Sequence, residues 1–224
     1  MKNFLILLAQ FLAYLLGLSS VLGGMLLFNA RLGGVSWLVH VVEAVLLLAV
    51  GMMLAWQFNQ HYQRQIADPL LSNWQIKPTA WAVGYGLLLL LFTIAYDQIR
   101  QLFGLPESNP ENQQLLLNVM KQAPFQLIVF AVILAPVLEE LLFRGLFWRL
   151  LGKLPVWAIW LITSIVFAVP HAPPTSLDFL IYLMMGGLLG ACYWQTRQLK
   201  YAMLAHFVNN AITVALMWQS LQAA

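Results

Sequence analysis

Apolar runs of about twenty residues fill most of this chain, near 4–28, 36–58, 80–99, 124–148, 156–172, 176–196 and 203–221. Runs of that length mark helices that cross a bilayer. The fold class they imply is all-α, a polytopic membrane helix bundle of about seven spans (six to eight). Composition agrees, since 62% of the 224 residues are hydrophobic and 8% are charged, against roughly a quarter charged in soluble domains. The one cysteine, Cys192 in GGLLGACYW, leaves no internal disulfide framework and no cysteine-based zinc site. It reads as a small helix-packing residue.

The formal charge of +3 gives no case for nucleic acid, because the cations fall in loops rather than along one stripe. They read instead as topology. One set of loops carries Lys2, Arg64, Lys77, Arg144, Arg149, Lys153, Arg197 and Lys200; the opposite set carries Arg31, Arg100 and Lys121. Under the positive-inside rule the first set and the N-terminus are cytoplasmic. The opening run after MKN is too long for a signal-peptide core and reads as an uncleaved anchor. A prokaryotic inner membrane is the expected location.

Two connections, 59–79 and 100–123, have room for structure, and the second suits a short surface helix around Gln113–Lys121. Residues 1–123 carry no motif; residues 124–224 form the motif-bearing part of one integral membrane domain. Gly186 with Gly190, and Gly187 with Ala191, give small-residue faces suited to close helix packing.

Polar groups interrupt the later spans in three places. The first is Glu139, Glu140 and Arg144; Glu140 and Arg144 are four apart and share a face. Glu139 points about 100° away. The second is Phe167 and His171 in FAVPH, and the third is His206, Asn209 and Asn210 in AHFVNNA. A hairpin turning at Gly152–Pro155 brings Glu139 level with residue 168, at a depth of roughly 20–25 Å from its tip. His206 can reach the same depth. The expected site lies in the cytoplasmic leaflet.

Ionisable groups inside a membrane are costly and usually functional. A carboxylate beside imidazoles can activate water, and an amide with a second imidazole can donate to an oxyanion. No serine or cysteine is placed as a nucleophile, Ser164 being two turns from His171. The same Glu139, His171 and His206 could instead hold zinc. The residues alone leave both open.

EELLFR, FAVPH and HFVNN, in this order on successive spans, resemble the three motifs of the CAAX protease and bacteriocin-processing family, the type II CAAX prenyl or intramembrane glutamic endopeptidases. The resemblance covers roughly 124–215. It implies an endopeptidase that cleaves a membrane-associated protein or peptide, CAAX-type or bacteriocin-processing. Position by position it implies that Glu139 activates water, His171 holds it, and His206 and Asn210 stabilise the oxyanion. Glu140, Arg144 and Phe167 take supporting places, and Asn209 falls off the motif register. No cofactor is expected, with zinc the alternative. The eight spans typical of a characterised member exceed the seven read here.

Two other classes fit the same features: a non-catalytic scaffold or immunity protein on this fold, and a small proton-coupled transporter. The transporter lacks a broken-helix repeat signature. His40 and Glu43, with Asp97 and Asp178, read as polar residues near the outer headgroups. Pro136 removes a backbone donor just before the glutamate pair.

Overall fold

A computed structural model describes residues 36–63, 73–105 and 111–223, together with Leu5, Ile6, Ala9 and Leu12. The expected first span, and most of the 59–79 connection, lie outside the described residues. Seven helices follow among the described residues: α1 Trp37–Gln63, α2 Ile76–Leu102, α3 Glu111–Gln122, α4 Pro124–Leu150, α5 Val156–Ala168, α6 Phe179–Thr196 and α7 Leu199–Ala223. The expected all-α bundle is what forms, and the surface helix expected near Gln113 is α3.

Four of these helices, α1, α2, α4 and α6, are long and apolar enough to cross a membrane. α5 departs from the expected span. It has 13 residues, about 20 Å of helix, and falls short of a hydrocarbon core about 30 Å thick. It stops because Pro170 follows, and proline supplies no N–H to continue the ladder.

Without a hydrophobic drive between helices in lipid, association rests on close packing at small residues. α5 and α6 meet this way. A Cβ on Gly186 would lie 2.9 Å from both Cα and O of Ser164, and one on Gly190 would lie 3.0 Å from the Trp160 ring. The Trp160 indole N–H donates to the Gly187 carbonyl at 2.7 Å. α2 and α7 pass equally close at Gly86, where a Cβ would lie 2.6 Å from the Ala205 carbonyl oxygen. The main core gathers Leu47 of α1, Leu134 and Leu141 of α4, Phe167 of α5, Leu189 of α6 and Tyr201 of α7. A second core seats α3, through Val119 and Met120, against Leu127, Val214 and Met217.

Two residues counted as loop cations behave otherwise. Arg144 is fully buried, and Lys200 is buried with its ammonium on the Asn73 carbonyl at 2.9 Å, facing the Trp74 and Tyr201 rings.

α4 is not a uniform α-helix. Ala135–Glu140 is α-helical, but Ile128–Leu134 and Leu141–Phe147 on either side are wound as π-helix. Such wide turns recur at functional sites. The first has a local cause in Pro136, which cannot donate.

Candidate active site

The site is built on the glutamate pair. Glu140 accepts a hydrogen bond from Arg144 Nη1 at 2.8 Å, and neither side chain is exposed at all. Arg144 Nη2 donates to the Gly186 carbonyl at 2.6 Å, and its guanidinium lies over the Phe167 ring, 5.0 Å from the centroid. The i,i+4 pairing expected from spacing is present. Its setting differs from a helix-end pair, because α4 runs on past Arg144 through Trp148 and the whole face turns into the core. Breaking such a pair strands a charge away from water.

Glu140 has a second partner. His206 Nδ1 sits 3.2 Å from the same oxygen, Oε1. A carboxylate can only accept, so Nδ1 carries a proton, and Nε2 lies on the side of the ring away from Glu140.

His171 is oriented by the end of α5. The last turn of a helix leaves carbonyls without donors. Here the His171 backbone N–H goes to the Ala168 carbonyl at 3.0 Å, and its ring Nδ1 takes the Phe167 carbonyl at 2.8 Å. Nδ1 is again a protonated nitrogen, donating to that carbonyl. The imidazole is stacked between Phe167 and Tyr182, with centroids at 4.8 and 4.9 Å. Phe167 is fully buried and also meets His206 edge-on at 6.0 Å.

Both Nε2 atoms face Glu139. Oε2 lies 3.9 Å from His171 and 4.0 Å from His206, and it is buried without a hydrogen-bond partner. Oε2 and the two Nε2 atoms therefore converge without a direct hydrogen bond, at separations that raise the question of a bridging water. The Glu139 side chain is 24% exposed, and it borders a cavity of about 420 Å³ shared with His171, His206, Asn209 and Asn210. Among the described residues no three His, Cys, Asp or Glu side chains are arranged to hold a metal ion. Tetrahedral zinc at about 2.0 Å from each ligand would bring donor atoms to about 3.3 Å from one another; Glu139 Oε2 stands 3.9 and 4.0 Å from the two imidazole nitrogens.

Asn210 is positioned by Pro136. The Ala135 N–H is spent on the Phe130 carbonyl in the π-wound register, and Pro136 has no N–H. The Ala131 carbonyl thus loses both its α-register and its π-register donors. Asn210 Nδ2 supplies one from α7 at 2.8 Å, while Asn209 Nδ2 donates to Asn210 Oδ1 at 3.0 Å. The Asn210 amide has a second hydrogen, and the residue lines the cavity.

The structure thus brings Glu139, His171 and His206 together, with Asn210 on the same cavity wall. Two participants were missed from sequence. Asn209 was set aside for its register, yet it lines the cavity and holds Asn210. Tyr182 carried no signal except its place one turn into α6. The residues read as an outer headgroup group are held as follows: His40 and Glu43 both meet the buried amide of Gln126, and Asp178 pairs with Arg100.

Residues 121–212 match the family model described as type II CAAX prenyl endopeptidase Rce1-like. Over 137 residues the chain is 31% identical to "Putative membrane peptidase YdiL" of Bacillus subtilis (strain 168), a match covering 60% of this chain and 54% of that protein. The match thus spans about half the length of that relative. No solved structure matches. The matched segment holds EELLFR, FAVPH and HFVNN, and the resemblance these motifs carry is borne out over it.

Proposed function

We propose, from the premise that residues 121–212 carry the sequence of the type II CAAX prenyl endopeptidase family, that this protein is an intramembrane endopeptidase in which Glu139 activates the attacking water. One observation carries the reading: the buried, unpartnered Glu139 Oε2 faced by two imidazole Nε2 atoms at 3.9 and 4.0 Å. It lies at the wall of a cavity large enough for a peptide segment.

The water donates one hydrogen to Glu139 and the other to His171 Nε2. Glu139 takes the first proton as the water oxygen bonds to the peptide carbonyl carbon. The negative charge passes to the carbonyl oxygen, where the free amide hydrogen of Asn210 donates. His206, when protonated, adds an Nε2–H donor, with Glu140 as its counter-charge. Collapse breaks the C–N bond, and Glu139 returns its proton to the leaving amine. The products are a carboxylic acid and an amine, and transfer of the acid's proton to the amine leaves a carboxylate and an ammonium group. Phe167 and Tyr182 keep the His171 ring in plane, and Arg144 fixes Glu140. The substrate class is a membrane-associated peptide or protein, CAAX-type or bacteriocin-like, and no cofactor takes part.

The test is cleavage of a membrane-tethered, fluorescence-quenched peptide library by the protein in proteoliposomes. Glu139→Gln is expected to lose cleavage while unfolding at the wild-type temperature. A folded Glu139→Gln protein that cleaves at the wild-type rate would sink the reading. Loss of cleavage with a chelator and its return with zinc would assign the water's activation to a metal instead.

A further inference from the structure

The unequal lengths of the helices decide which way the cavity opens. Call one end of the bundle the hairpin end, with the 151–155 turn, the Arg197–Gln198 turn and residues 73–75. α5 leaves that end and stops after about 20 Å, whereas α2 and α4, with 27 residues each, run on for about 40 Å and α7, with 25, for about 37 Å. The segment 169–178, carrying His171, therefore closes a recess partway through the bundle, walled above by the three long helices.

The cavity follows this recess. Its wall begins at Glu139, His171 and His206 and continues past Ile94 and Thr213 to Asp97, Gln113 and Ser220. Gln113 and Ser220 are exposed, and they stand at the end opposite the hairpin. In the other direction the described helices are closed: α2 touches α7 at Gly86, the Gln75 N–H donates to the Tyr201 hydroxyl, and Lys200 faces the Trp74 and Tyr201 rings. Glu139 is about 16 Å from Leu150, and His206 about 10 Å from Leu199. The reacting groups thus lie nearer the hairpin end, but the way in is from the far end.

The charges orient those two ends. With Arg144 and Lys200 buried, the exposed cations among the described residues are Lys77, Arg149, Lys153 and Arg197 toward the hairpin end and Lys121 toward the other, where Arg100 is buried and paired with Asp178. The hairpin end is the cytoplasmic one. We propose that the cavity admits its substrate from the non-cytoplasmic face, so the substrate is an exported or outward-facing membrane-anchored polypeptide. This rests on the peptidase reading. From Ser220 to His206 is about 21 Å, which an extended strand of about six residues spans. Apolar side chains suit the Ile94, Ile181, Met185 and Val214 walls.

Two single cysteine substitutions report the two faces: Gln113→Cys on α3 at the cavity rim, and Lys153→Cys in the exposed hairpin. The native Cys192 is fully buried and stays silent. In sealed right-side-out vesicles a membrane-impermeant maleimide is expected to label Gln113→Cys, and Lys153→Cys only after permeabilisation. The reverse pattern overturns the proposal. In parallel, a soluble quenched peptide of six apolar residues is offered to right-side-out and to inside-out vesicles. Cleavage at least tenfold faster in the right-side-out vesicles supports entry from outside; equal or faster cleavage in the inside-out vesicles overturns it. If the detergent-solubilised protein cleaves none of the peptides, the peptidase reading falls, and the labelling pattern alone still upholds or overturns the direction of opening.

Discussion

Glu139 and Glu140 are neighbours in sequence and opposites in setting. Glu140 is wholly buried, and one of its oxygens takes both Arg144 and His206. Glu139, about 100° around the helix, keeps a quarter of its side chain exposed and an oxygen with no hydrogen-bond partner. A charge inside a low-dielectric bundle is tolerated either because it is paired or because it does work. The first condition describes Glu140, and the second is the case for Glu139. The two are coupled through His206, whose Nδ1 serves one carboxylate while its Nε2 faces the other.

The comparison breaks most directly by exchanging one carboxylate at a time for an amide. Glu139→Gln should remove cleavage, by a thousandfold or more on the general-base and positioning terms together, and leave the thermal midpoint close to wild type. Glu140→Gln should do the reverse in stability, costing about 3–5 kcal/mol because Arg144 stays buried without its counter-charge. Thermal unfolding in detergent reads this, and Arg144→Met added to Glu140→Gln should recover a large part of the loss. A Glu140→Gln protein as stable as wild type would mean that the ion pair contributes little.

Asn210 sharpens the picture, since it belongs to both regions. Asn210→Ala should lower kcat roughly a hundredfold through the lost oxyanion donor, and cost about 1–3 kcal/mol by orphaning the Ala131 carbonyl. Asn210→Asp removes the same donor and should resemble Ala in both measurements. A kcat unchanged in either variant removes Asn210 from the chemistry.

Packing around Arg144 predicts a smaller effect. Gly186→Ala would drive a methyl into the backbone of Ser164 and displace the carbonyl that Arg144 uses, at about 1–3 kcal/mol. Gly84→Ala, with nothing within 4 Å of the added atom, should be neutral or stabilising by up to about 1 kcal/mol. Equal effects at the two glycines would argue against close α5–α6 contact as the source. Smallest is Arg197→Gly, at the exposed left-handed position (φ 56°) ending α6. It should add about 0.5–1 kcal/mol by relieving the Cβ penalty, read from the same melts.

Spans were legible because the apolar period is long and unambiguous, and α1, α2, α4, α6 and α7 begin within a few residues of where the runs do. The Glu140–Arg144 pair was legible from i,i+4 spacing, and the Gly186–Gly190 face from its small residues. The length of α5 was harder, since FAVPHAPP continues an apolar run while Pro170 ends the helix inside it. Gly86 gave no sign of meeting α7, because a close approach depends on the partner's backbone rather than on the glycine's neighbours.

The sequence by itself determined the helical class and which costly polar residues interrupt the apolar runs, since each follows from local period or residue type. Tertiary structure alone decided what those residues face. It decided that Asn210 repairs a backbone gap left by Pro136, and that Tyr182 and Phe167 clamp His171. It also decided that a short α5 among long neighbours leaves a recess open at one end. These contacts join residues tens of positions apart, and helix length and crossing, rather than spacing along the chain, set their distances.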